Sequence, residues 1–165
     1  MPEFRPTTQV FNTPLECGLR SACLLMAAYP AGFDLQRLVQ YDYLVVHSGD
    51  VDNGPASIHP ATPHRSGELL VRRAVVESGL EFMKAKGIIA KVYTASGISY
   101  VAGEYAAMFL GALEAAYVGK LRDRSEWVVA TFRDLTDDRL AAYMRGRWSL
   151  WGSEFIRESL FEMSE

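Results

Sequence analysis

All three histidines of the chain, His47, His59 and His64, fall in one stretch that also holds Asp50. Neutral imidazole and carboxylate suit zinc, iron or manganese, so this stretch could bind a divalent ion and serve a small metal-dependent hydrolase. The spacing of the four residues follows no rigid ligand template. The plainer reading is that His47 and Asp50 hydrogen-bond the backbone of an irregular loop, as most loop polar groups do. Familiar catalytic signatures are missing elsewhere: there is no Gly-x-x-x-x-Gly-Lys-Ser/Thr, Gly-x-Gly-x-x-Gly, Gly-x-Ser-x-Gly, His-Glu-x-x-His or Cys-x-x-Cys. The expectation is a non-enzymatic chain with no cofactor and no metal, and an unassigned role for the histidine loop.

A second candidate chemistry is electrostatic. Arg72, Arg73, Lys84, Lys86 and Lys91 could touch DNA phosphates, but Glu68, Glu77 and Glu81 share their stretch and leave it only weakly basic. The whole chain carries a formal charge of -3 and a pI near 5.7, which argues against a strong sequence-independent grip on nucleic acid. DNA contact, where it occurs, is expected to be local and to come through a complex.

The elements that would position these groups centre on Gly67 to Tyr105. Leu69, Leu70, Val71, Ala74, Val75, Leu80, Phe82 and Met83 give a helical apolar pattern with a soft spot at Ser78-Gly79, and Gly87 stands where a C-cap glycine belongs. Ile88 to Tyr93 and Ile98 to Val101 then alternate around Ala95-Ser96-Gly97, which predicts a β-hairpin. A helix ending directly in a short hairpin is the local pattern of a winged helix-turn-helix, with Leu80 to Lys86 closing the reading helix. The fold class expected is therefore α+β, mainly α-helical, with a winged-helix-like core, a hairpin wing and additional C-terminal helices.

Upstream, Thr13-Pro14-Leu15-Glu16 is a capping box opening a helix whose buried stripe should be Leu15, Leu19, Ala22 and Met26. Asp34 caps a second helix carrying Leu35, Leu38 and Val39, and Tyr41 to Val46 continues it as helix or buried strand. His47 to Ser66 reads as a long loop. Downstream, Glu104 to Lys120 reads as one helix burying Ala106, Phe109, Leu110, Leu113 and Tyr117. Arg122-Asp123-Arg124 reads as a charged break, Trp127 to Phe132 as a short helix, and Thr136 as the cap of a helix ending near Arg147. The expected organisation is an extended arm over 1–12, a winged-helix-like domain over 13–121 that includes the loop 47–66, and a helical extension over 122–165.

Hydrophobic residues make up 49% and charged residues 22% of the chain, the balance of an ordinary globular protein. Cys17 and Cys23 lie roughly 240° apart on one helix, so they read as buried, reduced thiols rather than a disulfide. No apolar signal core opens the chain and no window reaches the roughly 20 residues of a bilayer span, so a cytoplasmic protein with no membrane partner is expected. The last segment holds Trp148, Leu150, Trp151, Phe155, Ile156 and Phe161, which either pack on the domain or fill a groove on a partner.

Three stretches carry a resemblance: Phe11-Asn12-Thr13-Pro14-Leu15-Glu16-Cys17-Gly18-Leu19-Arg20, Tyr41-Asp42-Tyr43-Leu44-Val45-Val46-His47-Ser48-Gly49-Asp50, and Pro55-Ala56-Ser57-Ile58-His59-Pro60. With Gly67-Glu68-Leu69-Leu70 and the helix to Gly87, they resemble the middle component of bacterial ABC-three-component conflict systems over roughly residues 10 to 110. The resemblance implies a small non-catalytic adaptor, placed between an SMC-like ABC ATPase and an effector subunit in Lamassu-type defence against phages and plasmids. It assigns no role to His47, Asp50 or His59. A winged-helix DNA-binding regulator is the alternative, with the metal-dependent hydrolase behind it.

Overall fold

Thr13 caps the first helix in the computed structural model, which describes residues 12–60 and 65–147. Its hydroxyl accepts from the Glu16 N–H at 3.2 Å, and Pro14 occupies the first helical turn of α1 (Pro14–Ala28). The expected stripe is corrected. Leu15 is 57% exposed and Leu19 and Met26 are only partly covered, whereas Cys17, Ser21, Leu24, Leu25 and Ala28 are buried. A single stripe presumes a helix with one covered face. This helix is the hub, touched by α2, α3, α4, α5 and β2, and is covered on several sides.

Asp34 accepts from the Arg37 N–H at 2.8 Å and opens α2 (Leu35–Val46). The ambiguous Tyr41 to Val46 segment is helical and wholly buried. A short 3-10 turn (Ser48–Asp50) follows, and the chain then folds back, with Ile58 and His59 both donating to the Val46 carbonyl at 3.0 Å. The Ser57 hydroxyl accepts from the Gly49 N–H at 2.9 Å, and Ser48 donates to the Ala56 carbonyl. Up to residue 60 the histidine loop is thus closed by its own backbone.

The central helix α3 (Arg65–Ala85) runs 21 residues without a break at Ser78-Gly79. Gly79 is the crossing point on α1: a Cβ there would lie 2.5 Å from the Pro14 carbonyl oxygen and 2.6 Å from the Gly18 nitrogen. Glycine serves backbone approach here, not a hinge. The helix ends on Gly87 at φ +72°, with Ile88 N–H on the Met83 carbonyl and Gly87 N–H on the Lys84 carbonyl, both at 3.0 Å, a Schellman closure.

The expected hairpin follows as β1 (Ile89–Thr94) and β2 (Gly97–Ala102), antiparallel, with Lys91 opposite Tyr100 and Tyr93 opposite Ile98. Phe33 bridges the far side of β2, exchanging hydrogen bonds with Tyr100 at 3.0 and 2.8 Å.

The single helix expected over Glu104 to Lys120 is two, α4 (Ala106–Gly111) and α5 (Ala116–Phe132), and the expected break at Arg122-Asp123-Arg124 lies inside α5. No proline or capping side chain marks the corner at 112–115, and its alanines favour helix, so local signals ran straight through it. Packing makes the turn, letting α5 lie along α1 and α2. Trp127 to Phe132 is the end of α5, and the boundary drawn at 121 therefore falls within one helix. Thr136 caps α6, a helix over 137–147, its hydroxyl accepting from the Arg139 N–H at 3.3 Å, and Leu140 and Met144 close the core.

The fold is mainly helical α+β, with one two-stranded antiparallel hairpin. No described helix is long and apolar enough to cross a membrane. The arm before Asn12, His64, and Trp148, Leu150, Trp151, Phe155, Ile156 and Phe161 lie outside the described residues.

Candidate functional site

Two regions bring together the residues singled out from the sequence. The first is a buried polar cluster where α1, α2, α3, α5 and the histidine loop meet. Asp42 accepts from Arg20 Nε at 2.7 Å and Nη2 at 3.0 Å, and from Arg72 Nη1. All three side chains are essentially shielded, at 0%, 0% and 2% exposure for Asp42, Arg20 and Arg72. Burial opposes ionisation of Asp42, but the two guanidiniums outweigh it and hold the carboxyl below its usual range. Arg20 Nη2 also reaches Asn12 at 2.9 Å and Cys17 Sγ at 3.1 Å.

The histidines extend this cluster. His59 Nε2 lies 3.0 Å from the Tyr117 hydroxyl, and its ring meets the His47 ring edge-on at 6.2 Å. Burial, with Arg20, His47 and Arg72 nearby, pushes His59 down to about 4, so it is neutral at physiological pH. Tyr43 stacks near His47 at 4.6 Å and donates to Asp50 at 2.6 Å. Asp50 thus accepts from a phenol of α2. Arg124 of α5 donates to the Ala56 carbonyl at 3.2 and 3.0 Å, fastening the loop.

The chemistry available here is that of a cross-link between elements. Among the described residues no three or more His, Cys, Asp or Glu side chains converge as a metal site. Burial raises Cys17 to about 12 and Cys23 to about 11, so neither is a thiolate nucleophile near neutral pH. Both thiols are free and buried, as expected. Arg20, Asp42 and Tyr43 are not among the site candidates of the sequence, and Tyr117 is expected there only as a buried helix position. A charge such as Arg20 or Asp42 inside an otherwise apolar helical run was the available signal.

The second region is the surface formed by the end of α3 and the hairpin. Of the five basic residues grouped for DNA, Arg72 is withdrawn, because its guanidinium is buried against Asp42 and stacks over the Tyr43 ring at 5.5 Å. Arg73 is exposed and donates to Gln36 at 2.9 Å. Lys84 pairs with Glu81 at 2.9 Å, and Lys86 sits over the Phe82 ring at 5.7 Å. Lys91 is half-buried on β1. These groups do not form one continuous basic face. Apolar side chains are prominent there instead: Phe82, Tyr105, Ile98 and Tyr93, the last 79% exposed. Leu80 and Met83 of the expected reading turn are buried.

No curated protein and no solved structure matches the chain. A family model does, over residues 10–154, which takes in α1 through α6, the buried cluster and the hairpin surface. The chain belongs to the family described as ABC-three component (ABC-3C) system Middle Component 2.

Proposed function

We propose that this chain is a non-catalytic adaptor, the middle subunit of a cytoplasmic anti-phage or anti-plasmid complex of Lamassu type, binding an SMC-like ABC ATPase and an effector. The family match over residues 10–154 carries the reading, because a middle component implies other components to join. The chemistry of the chain is in keeping with it: the polar cluster is spent on cross-linking helices, the cysteines are unreactive, and several large apolar side chains, among them Tyr93, Val71 and Met108, stand exposed. In this reading α3 and the hairpin are a winged-helix-like docking module rather than an autonomous DNA reader, since Arg72 is committed to Asp42.

The test is assembly of the full-length chain co-expressed with the other two components of its system, with the mass of the complex measured. A fixed-ratio complex containing all three is the expected result. A chain that purifies alone overturns the adaptor.

A further inference from the structure

We infer that the free edge of β1 is a strand-addition site for an extended segment of a partner chain, with an acidic residue opposite Lys91 and an apolar residue two positions on, beside Tyr93. The inference deepens the adaptor reading and rests on it.

The geometry begins with Tyr100. Both its backbone groups bond Phe33, so they point away from β1. Tyr100 is therefore a non-hydrogen-bonded partner of Lys91, and the Lys91 N–H and C=O point away from β2. Alternation gives Ile89 and Tyr93 the same direction. The Gly103 N–H on the Ile88 carbonyl at 2.8 Å fixes the same phase at the strand's start. β2 is the only described strand paired with β1, and Ile89 is buried at the start of the strand, so Lys91 and Tyr93 offer the accessible N–H and C=O groups of an unpaired edge.

Phe33 already does to β2 what a partner would do to β1. Space is present beside the edge: a groove of about 460 Å³ runs from Lys84 and Gly87 past Ile89 and Lys91 to Tyr93.

Charge selects the occupant. Ile89, Lys91 and Tyr93 share one face of the hairpin with Tyr100 and Ile98. A second copy paired over the full edge would set Lys91 against its own equivalent, and like charges directly opposite one another destabilise a sheet. Lys84 is already paired with Glu81, which leaves Lys91 as the groove's lysine for an incoming carboxylate. A different chain with an acidic residue in register meets Lys91 favourably, while an apolar residue two positions on extends the exposed face of Tyr93 and Ile98. Main-chain bonds supply affinity and the alternate side chains supply specificity.

The experiment uses the full-length chain co-expressed with the other two components. Lys91→Pro deletes the outward N–H and leaves the ladder to β2 intact. Lys91→Glu keeps that N–H and reverses the charge. Both are expected to weaken assembly at least tenfold, with the melting temperature of the isolated chain little changed. Amide exchange of the native protein reads the same edge without substitution. Lys91 and Tyr93 should slow about a hundredfold on assembly, and this measurement decides if the proline variant fails to fold. A native complex whose edge amides exchange as in the free chain, or which forms equally with Lys91→Glu, overturns strand addition and leaves the adaptor standing. A homodimer that protects these amides overturns the heterologous partner. Absence of any complex overturns both readings.

Discussion

Asp42 is the residue on which the buried cluster depends, because one shielded carboxylate answers two shielded guanidiniums. Removing its charge takes from Arg20 and Arg72 the buried carboxylate that they share, so Asp42→Asn should cost on the order of 3–5 kcal/mol, read as a lower urea midpoint. His59 makes a separate, pH-dependent contribution. Its folded value is depressed from 6.5 to about 4, so over that interval the unfolded chain takes up a proton that the folded chain refuses. The stability from neutral His59 is complete above pH 6.5 and is lost as pH falls toward 4. Melting temperature should therefore decline from pH 6.5 downward, and His59→Gln, which keeps a partner for Tyr117, should flatten the upper part of that decline. Asp42 enters only at the acid end, since its carboxyl is held below the usual range. The sequence exposed part of this site: clustering singled out His47, Asp50 and His59, and Tyr43 lies close by, yet the contacts that tie the cluster to other helices come from far along the chain. Tyr117 meets His59 across 58 positions and Arg72 meets Asp42 across 30, distances that no local pattern encodes.

Among the elements, those with their own stop and start chemistry were the legible ones. Thr13, Asp34 and Thr136 bond the first turns of their helices, and Gly87 closes α3, all through contacts within five residues. The corner between α4 and α5 has no such chemistry and is set by packing on α1, so local signals predict continuous helix there. Gly79 shows the same division. Its sequence context suggests a weak spot, but its use is the crossing with Gly18. The prediction for Gly79→Ala is therefore destabilisation by about 1–3 kcal/mol, against the helix propensity that would favour alanine. Gly119→Ala on α5 is the matched control. Nothing lies within 4 Å of a Cβ there, so it should gain roughly 0.5–1 kcal/mol. Chemical denaturation of the two variants side by side would check both signs, and a stabilised Gly79→Ala would mean the helices separate at little cost.

At the scale of the whole molecule the question is whether residues beyond 121 form a unit of their own. Leu121, Val128, Val129 and Phe132 of α5 belong to the same core as Cys17, Leu24 and Leu44, and Leu140 and Met144 of α6 join it. Arg37 of α2 reaches across to Asp137 at 2.9 Å and to the Leu135 carbonyl at 2.6 Å, and Arg147 pairs with Asp52 of the histidine loop. A core shared in this way cannot lose its last helices and keep its first ones packed, because the α1 surface under α5 would be exposed. Unfolding is therefore expected as one cooperative transition. Helical circular dichroism should coincide with near-ultraviolet tyrosine and tryptophan signals from both sides of residue 121. A fragment ending at Leu121 should fail to fold, for it carries α1 without the Val128, Val129 and Phe132 that cover it. Two separated transitions, or a folded fragment, would instead restore the division at 121 and make the C-terminal helices an appendage free to follow a partner.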